Sequence, residues 1–164
     1  APAAPAPEGE RSTSVKGRIA LVLRRTIHAP VERVFHAWTR PEQLRQWWGP
    51  GPVTCCHAEI DLRVGGAYRI GNRLPDGTVL WISGEFEAVE APERLVYTWR
   101  VDGKGASSPE RSRVTVRFER AGEATDVIVI HEQIDTEATR TDHEQGWTGC
   151  LESLDTFLVP TPAN

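Results

Sequence analysis

Residues 139–158 read TRTDHEQGWTGCLESLDTFL, and the spacing of their apolar positions decides the architecture. Trp147, Leu151, Leu154 and Leu158 recur at helical intervals, flanked by Cys150 and Phe157. That stripe predicts a long amphipathic helix from about Thr139 to Leu158. Twenty helical residues span roughly 30 Å, enough to cross a whole sheet. Pro160 and Pro162 then stop it.

Working back from this helix, the pattern changes to period two. Val114, Val116 and Phe118 alternate with Arg113, Thr115, Arg117 and Glu119, and Leu95, Tyr97, Trp99 and Val101 share one face of their segment. One apolar face and one polar face mean an antiparallel sheet. Six such strands are predicted: 54–62, 66–74, 79–89, 94–102, 111–119 and 125–134. Pro75-Asp76-Gly77, Ala91-Pro92-Glu93, Asp102-Gly103 and Gly122 supply turn chemistry between them. Ahead of the six, Arg18–Ile27 reads as a first strand. Val31, Val34, Phe35 and Trp38 then recur as on a helix, and Pro41 opens a second short helix carrying Leu44, Trp47 and Trp48. The Gly-Pro-Gly-Pro run at 49–52 ends it.

The fold class is therefore α+β, a curved antiparallel sheet of about seven strands wrapped around the long helix, with two short helices after the first strand. An apolar sheet face needs a cover, and these helices are the only cover available. Residues 18–158 form one domain on this reading. Residues 1–17, rich in Ala, Pro, Ser and charge, read as a flexible tail without the apolar stretch of a secretory signal. Residues 159–164 form a second, short tail. The chain contains no methionine, which leaves room for an upstream presequence.

Composition excludes several classes. With 164 residues and a net charge of −4, the chain lacks the basic face that nucleic-acid binding needs. Its lysines are Lys16 and Lys104 alone, and its arginines are scattered. No apolar run approaches the roughly 20 residues of a membrane helix. Cys55, Cys56 and Cys150 cannot all pair, so reduced thiols and a cytoplasmic setting are expected.

Four motifs in order are more specific: APVERVFHAWTRPEQLRQWWGP at 29–50, IDLRVGGAYRI at 60–70, GEFEAVEAPERLVYTWR at 84–100, and HEQ at 131–133 followed by GWTGCLESLDTFL at 146–158. Together they resemble the family of homologues of the heat-shock-protein-90 ATPase activator, within the START-like (SRPBCC) superfamily. The resemblance covers residues 18–158 and implies a helix-grip fold. It also implies three functional alternatives. They are a carrier of a hydrophobic or aromatic small molecule, a polyketide cyclase/dehydratase-like or hydrolase-like enzyme, and a co-chaperone of a heat-shock-protein-90 ATPase. The activator's amino-terminal domain has no counterpart in a 17-residue tail. A monomer or weak homodimer is expected.

The six tryptophans point to an aromatic-walled interior. Expected pocket residues are Trp48 near the mouth, Tyr68, Trp81, Glu85, Trp99, His131, Trp147 and Leu151, whereas Phe35 and Trp38 read as plain core. The rings either enclose a cavity or fill the space themselves. His131 shares a strand face with Val127 and Val129, and the resemblance turns that face toward Trp147. There it acts on a ligand or is a core histidine satisfied by hydrogen bonds. Glu85 and Glu87 share a face and either titrate in a pocket or pair with arginines such as Arg63, Arg69 and Arg100.

No catalytic motif, cofactor site or metal site emerges. His-Glu-x-x-His needs a second histidine where the two HEQ copies have Asp135 and Trp147.

Overall fold

The computed structural model describes residues 19–49, 52–102 and 111–158. The elements run β1 Ile19–Ile27, α1 Val31–Thr39, α2 Pro41–Trp47, β2 Thr54–Ile60, β3 Ala67–Arg73, β4 Val79–Glu90, β5 Arg94–Asp102, β6 Arg111–Ala121, β7 Ala124–Ile134 and α3 Glu137–Leu158. The two tails, Pro160, Pro162, Gly103, Lys16, Lys104 and the Pro50-Gly51 pair lie outside the described residues.

Alternation dictates the sheet. Strands β2 to β7 form a meander, and β1 adds beside β7, giving the order β1-β7-β6-β5-β4-β3-β2 with every pair antiparallel. Ile82 and Phe86 of β4, Tyr97 and Trp99 of β5, Val114 and Val116 of β6, and Val127 and Val129 of β7 are buried on the helix side. The turn at Gly77 takes a left-handed φ of 91°, with the Thr78 amide donating to Asp76 Oδ1 at 2.8 Å. Gly122 at φ 66° does the same between β6 and β7.

The short helices follow the apolar pattern. Val31, Val34, Phe35 and Trp38 of α1 are buried, as are Leu44 and Trp47 of α2. Phe35 meets Phe118 edge-on at 5.4 Å, which seats α1 on the sheet.

Helix α3 starts two residues earlier than its apolar stripe suggests. Thr136 caps it: its hydroxyl accepts from the Thr139 amide at 3.1 Å, satisfying one of the orphan donors of the first turn. The helix lies nearest β1 among the strands, and also touches α1 and α2. Arg140 Nε donates to the Ala20 carbonyl at 3.3 Å near one end. Near the other end, Asp155 Oδ1 accepts from the His28 amide at 3.0 Å. Fastening α3 at the β1 side leaves the far half of the sheet face to be covered by rings. Among the described residues no helix is long and apolar enough to cross a membrane.

Candidate functional site

Five tryptophans meet between sheet and helices. Trp147 of α3 stacks on Trp38 of α1 with centroids 5.9 Å apart and planes at 17°. Trp48 meets Trp147 edge-on at 5.5 Å, and Trp99 of β5 lies 5.3 Å from Trp147. Trp47 packs 5.1 Å from Trp38 and 5.4 Å from Trp48.

This cluster both fills and encloses. On one side it leaves a void of about 20 Å³ against Tyr68, Phe86 and Tyr97, room for about one water. On the other it walls a half-open cleft of about 220 Å³ between α3 and the β3–β5 strands. Trp48, Trp99 and Trp147 form the aromatic wall, Leu74, Leu80, Ile82 and Val101 the aliphatic one, and Asn72, Asp142 and His143 supply polar atoms. Cys150 also lines the cleft, its thiol pushed up to about 12 chiefly by burial.

The indole N–H groups divide in a telling way. Trp38 donates to the Tyr97 hydroxyl at 3.4 Å, Trp47 to the Ala37 carbonyl at 2.9 Å, and Trp147 to His131 Nδ1 at 3.0 Å. The N–H groups of Trp48 and Trp99 have no partner within the described chain, and neither does the side-chain oxygen of Asn72. All three side chains line the cleft.

His131 sits one ring behind the cleft, fully buried. Indole nitrogen only donates, so the Trp147 bond occupies the Nδ1 lone pair and places the ring proton on Nε2. That Nε2–H then donates to Ser112 Oγ at 2.7 Å. Burial, and next the adjacent His143, hold the imidazole well below the usual histidine range. A ring so engaged is neutral and has no lone pair left to deprotonate Ser112. The His143 ring stacks on it at 4.2 Å and 19°, joining the two HEQ copies of the sequence through their histidines. Among the described residues, no cluster of His, Cys, Asp and Glu is arranged to hold a metal ion.

The expected pocket residues scatter around this geometry. Trp48, Trp99 and Trp147 line the cleft, and Tyr68 lines the small void, donating to the Thr98 carbonyl at 2.6 Å. Burial pushes its phenol well above the usual tyrosine range. Trp48 is not at the mouth: it is only 5% exposed and divides the void from the cleft. Leu151 packs into the core, outside the cleft wall.

Trp81 and Glu85 face away from the interior. The inward positions of β4 belong to Ile82 and Phe86, so period two turns their odd-numbered neighbours outward. Trp81 lies against Gly71 on β3, with the Arg69 guanidinium 3.7 Å above its ring. Glu85 is exposed on the outer face, where Glu87 receives Arg113 at 2.8 Å and Asp61 receives Arg63. Trp38, expected as plain core, borders the small void.

Of the cleft residues that the sequence did not mark as pocket-lining, Asn72, His143 and Gly146 matter most. Asn72 continues the inward series Tyr68 and Ile70 at the same spacing of two, a polar residue on an apolar face. His143 precedes Trp147 by four on the apolar side of α3. Gly146, inside the helix, has nothing beyond its own chain neighbours and helix backbone within 4 Å of where a Cβ would stand.

Comparison with known proteins agrees with this architecture. A crystal structure of a Chromobacterium violaceum protein has a TM-score of 0.77 at 28% identity, covering 87% of this chain and 98% of that one. The AHSA1 protein of Silicibacter pomeroyi gives 0.74 at 24% identity, with 84% and 96% covered. CalU16 from Micromonospora echinospora gives 0.64 at 26% identity, with 86% and 76% covered. Among functionally curated proteins none matches. The family model described as activator of Hsp90 ATPase homolog 1-like protein matches residues 28–159. With its helix-grip architecture and a match over most of its length, the chain belongs to that family.

Proposed function

We propose that the protein binds a hydrophobic small molecule in the cleft between α3 and strands β3–β5. The observation that carries this reading is Gly146. Glycine inside a helix costs about 1 kcal/mol relative to alanine, yet here it faces the cleft with open space beyond it. A side chain at that position would occupy the volume that the aromatic wall leaves empty. Apolar cavities of about 150 Å³ take up a benzene-sized guest, and this cleft is larger.

The test is Gly146→Leu. The new side chain enters the cleft while raising helix propensity, so the fold is expected to hold. Calorimetric titration with the neutral dye 1-aminoanthracene should show saturable 1:1 binding to the native chain and none to the variant. Equal binding by both would place the dye elsewhere and sink the proposal.

A co-chaperone role draws on membership of the activator of Hsp90 ATPase homolog 1-like family. The outer sheet face offers it mainly arginine–carboxylate pairs such as Arg113–Glu87 and Arg100–Asp102. Retention on an immobilised heat-shock-protein-90 homologue, with the Gly146→Leu variant retained equally, would favour it over the cleft.

A further inference from the structure

The cleft's unpartnered polar atoms specify more than a hydrophobic guest. Trp48 is 5% exposed, Trp99 6% and Asn72 9%, so each side chain is at least nine-tenths buried. A buried donor or acceptor left without a partner is destabilising, because it has given up water for nothing. Three such atoms, each sealed from solvent, belong to side chains that line one cleft, and that concentrates the cost beside it. The other three indoles of the cluster all donate within the chain, so the deficit is confined to the two that border both spaces.

Their chemistry is definite. Two indole N–H groups call for acceptor oxygens, and the Asn72 oxygen calls for a donor. Charge narrows the class further. Among the described residues no lysine or arginine lines the cleft, and Asp142 is the one carboxylate that does. An anionic ligand would lose its hydration without a cation to replace it, and would face Asp142 as well. The aromatic wall, with Trp99 and Trp147 5.3 Å apart, favours a flat body.

We infer that the ligand is a neutral, planar ring compound bearing both a carbonyl acceptor and a hydroxyl or amine donor. It is read by the indole N–H groups of Trp48 and Trp99 and the amide oxygen of Asn72. This inference rests on the binding reading above.

Three probes of similar bulk separate the possibilities by titration calorimetry of the full chain at pH 7. They are tetralin, 5-hydroxy-1-tetralone and 1-naphthoate. The hydroxyketone should bind about tenfold tighter than tetralin, as two net hydrogen bonds of about 0.7 kcal/mol each require. Naphthoate should bind weakest. Trp99→Phe and Asn72→Leu should each cut the hydroxyketone's advantage about threefold while leaving tetralin affinity within twofold. Tetralin binding as tightly as the hydroxyketone would overturn the inference and leave the cleft a plain apolar binder. Naphthoate binding tightest would overturn it on charge. No saturable binding by any probe would remove the binding reading and this inference together. The comparison among probes is made on the native chain, so it stands even if a variant fails to fold.

Discussion

His131 shows how one residue's partners fix its chemistry. Trp147 donates to one ring nitrogen and Ser112 accepts from the other, so the neutral form satisfies both neighbours and the charged form cannot. Its depressed proton affinity has a consequence for stability. Below about pH 6.5 the unfolded chain takes up a proton at this histidine that the native chain refuses. Native stability therefore falls as the pH drops through 6.5 toward the lowered folded value, by at most about 1.4 kcal/mol per pH unit. Urea denaturation at pH 7 and pH 5 should show this loss shrinking in His131→Gln. An unchanged pH dependence would mean that other groups govern acid sensitivity. The sequence reading held both a ligand-facing and a core histidine open. The decisive fact is the direction of the Trp147 N–H, which no spacing rule encodes.

At the scale of elements, the close approach of β4 to β5 is the tightest constraint. A Cβ on Gly84 would stand 2.0 Å from the Thr98 carbonyl oxygen, in a stretch where the Glu85 amide already donates to the Thr98 hydroxyl. Gly84→Ala must push backbone against backbone, and a cost of about 1–3 kcal/mol in thermal or chemical unfolding is expected. Gly146→Leu, also a glycine replacement, meets open space instead and should cost no stability. The elements themselves were legible because each carries its own period. Val114, Val116 and Phe118 announce a strand face, and Trp147 through Leu158 a helix stripe, whatever their neighbours do. The site was only half legible. Trp99 and Trp147 could be placed from periodicity, but counting aromatics pulled in Trp81, which the same alternation, applied from Ile82 and Phe86, turns outward. Asn72 carried a signal that went unread, a polar break in an apolar face. The emptiness beside Gly146 carried none, because a void belongs to the packing of separate elements and to no single stretch.

For the molecule as a whole, connectivity governs assembly. Strands β2 to β7 pair with sequence neighbours, whereas β1 pairs with β7 across the full length of the sheet-forming chain, Ile19 opposite Ile134. Closing so long a loop is entropically late. Leu21→Ala in β1 should therefore mainly accelerate unfolding, while Val116→Ala, inside the β5–β6–β7 meander, should slow folding, as read from the two arms of a chevron plot. The reverse assignment would put β1 in the folding nucleus. Finally, the tryptophan cluster makes the molecule two separate light emitters. Trp38, Trp47, Trp48, Trp99 and Trp147 touch in a chain of contacts 5.1 to 6.5 Å long, so excitation absorbed by one ring migrates among all five. Trp81 shines alone on the outer face beneath Arg69. A guest in the cleft would dim the shared, depolarised emission at a stroke and leave the polarised glow of Trp81 as an internal standard.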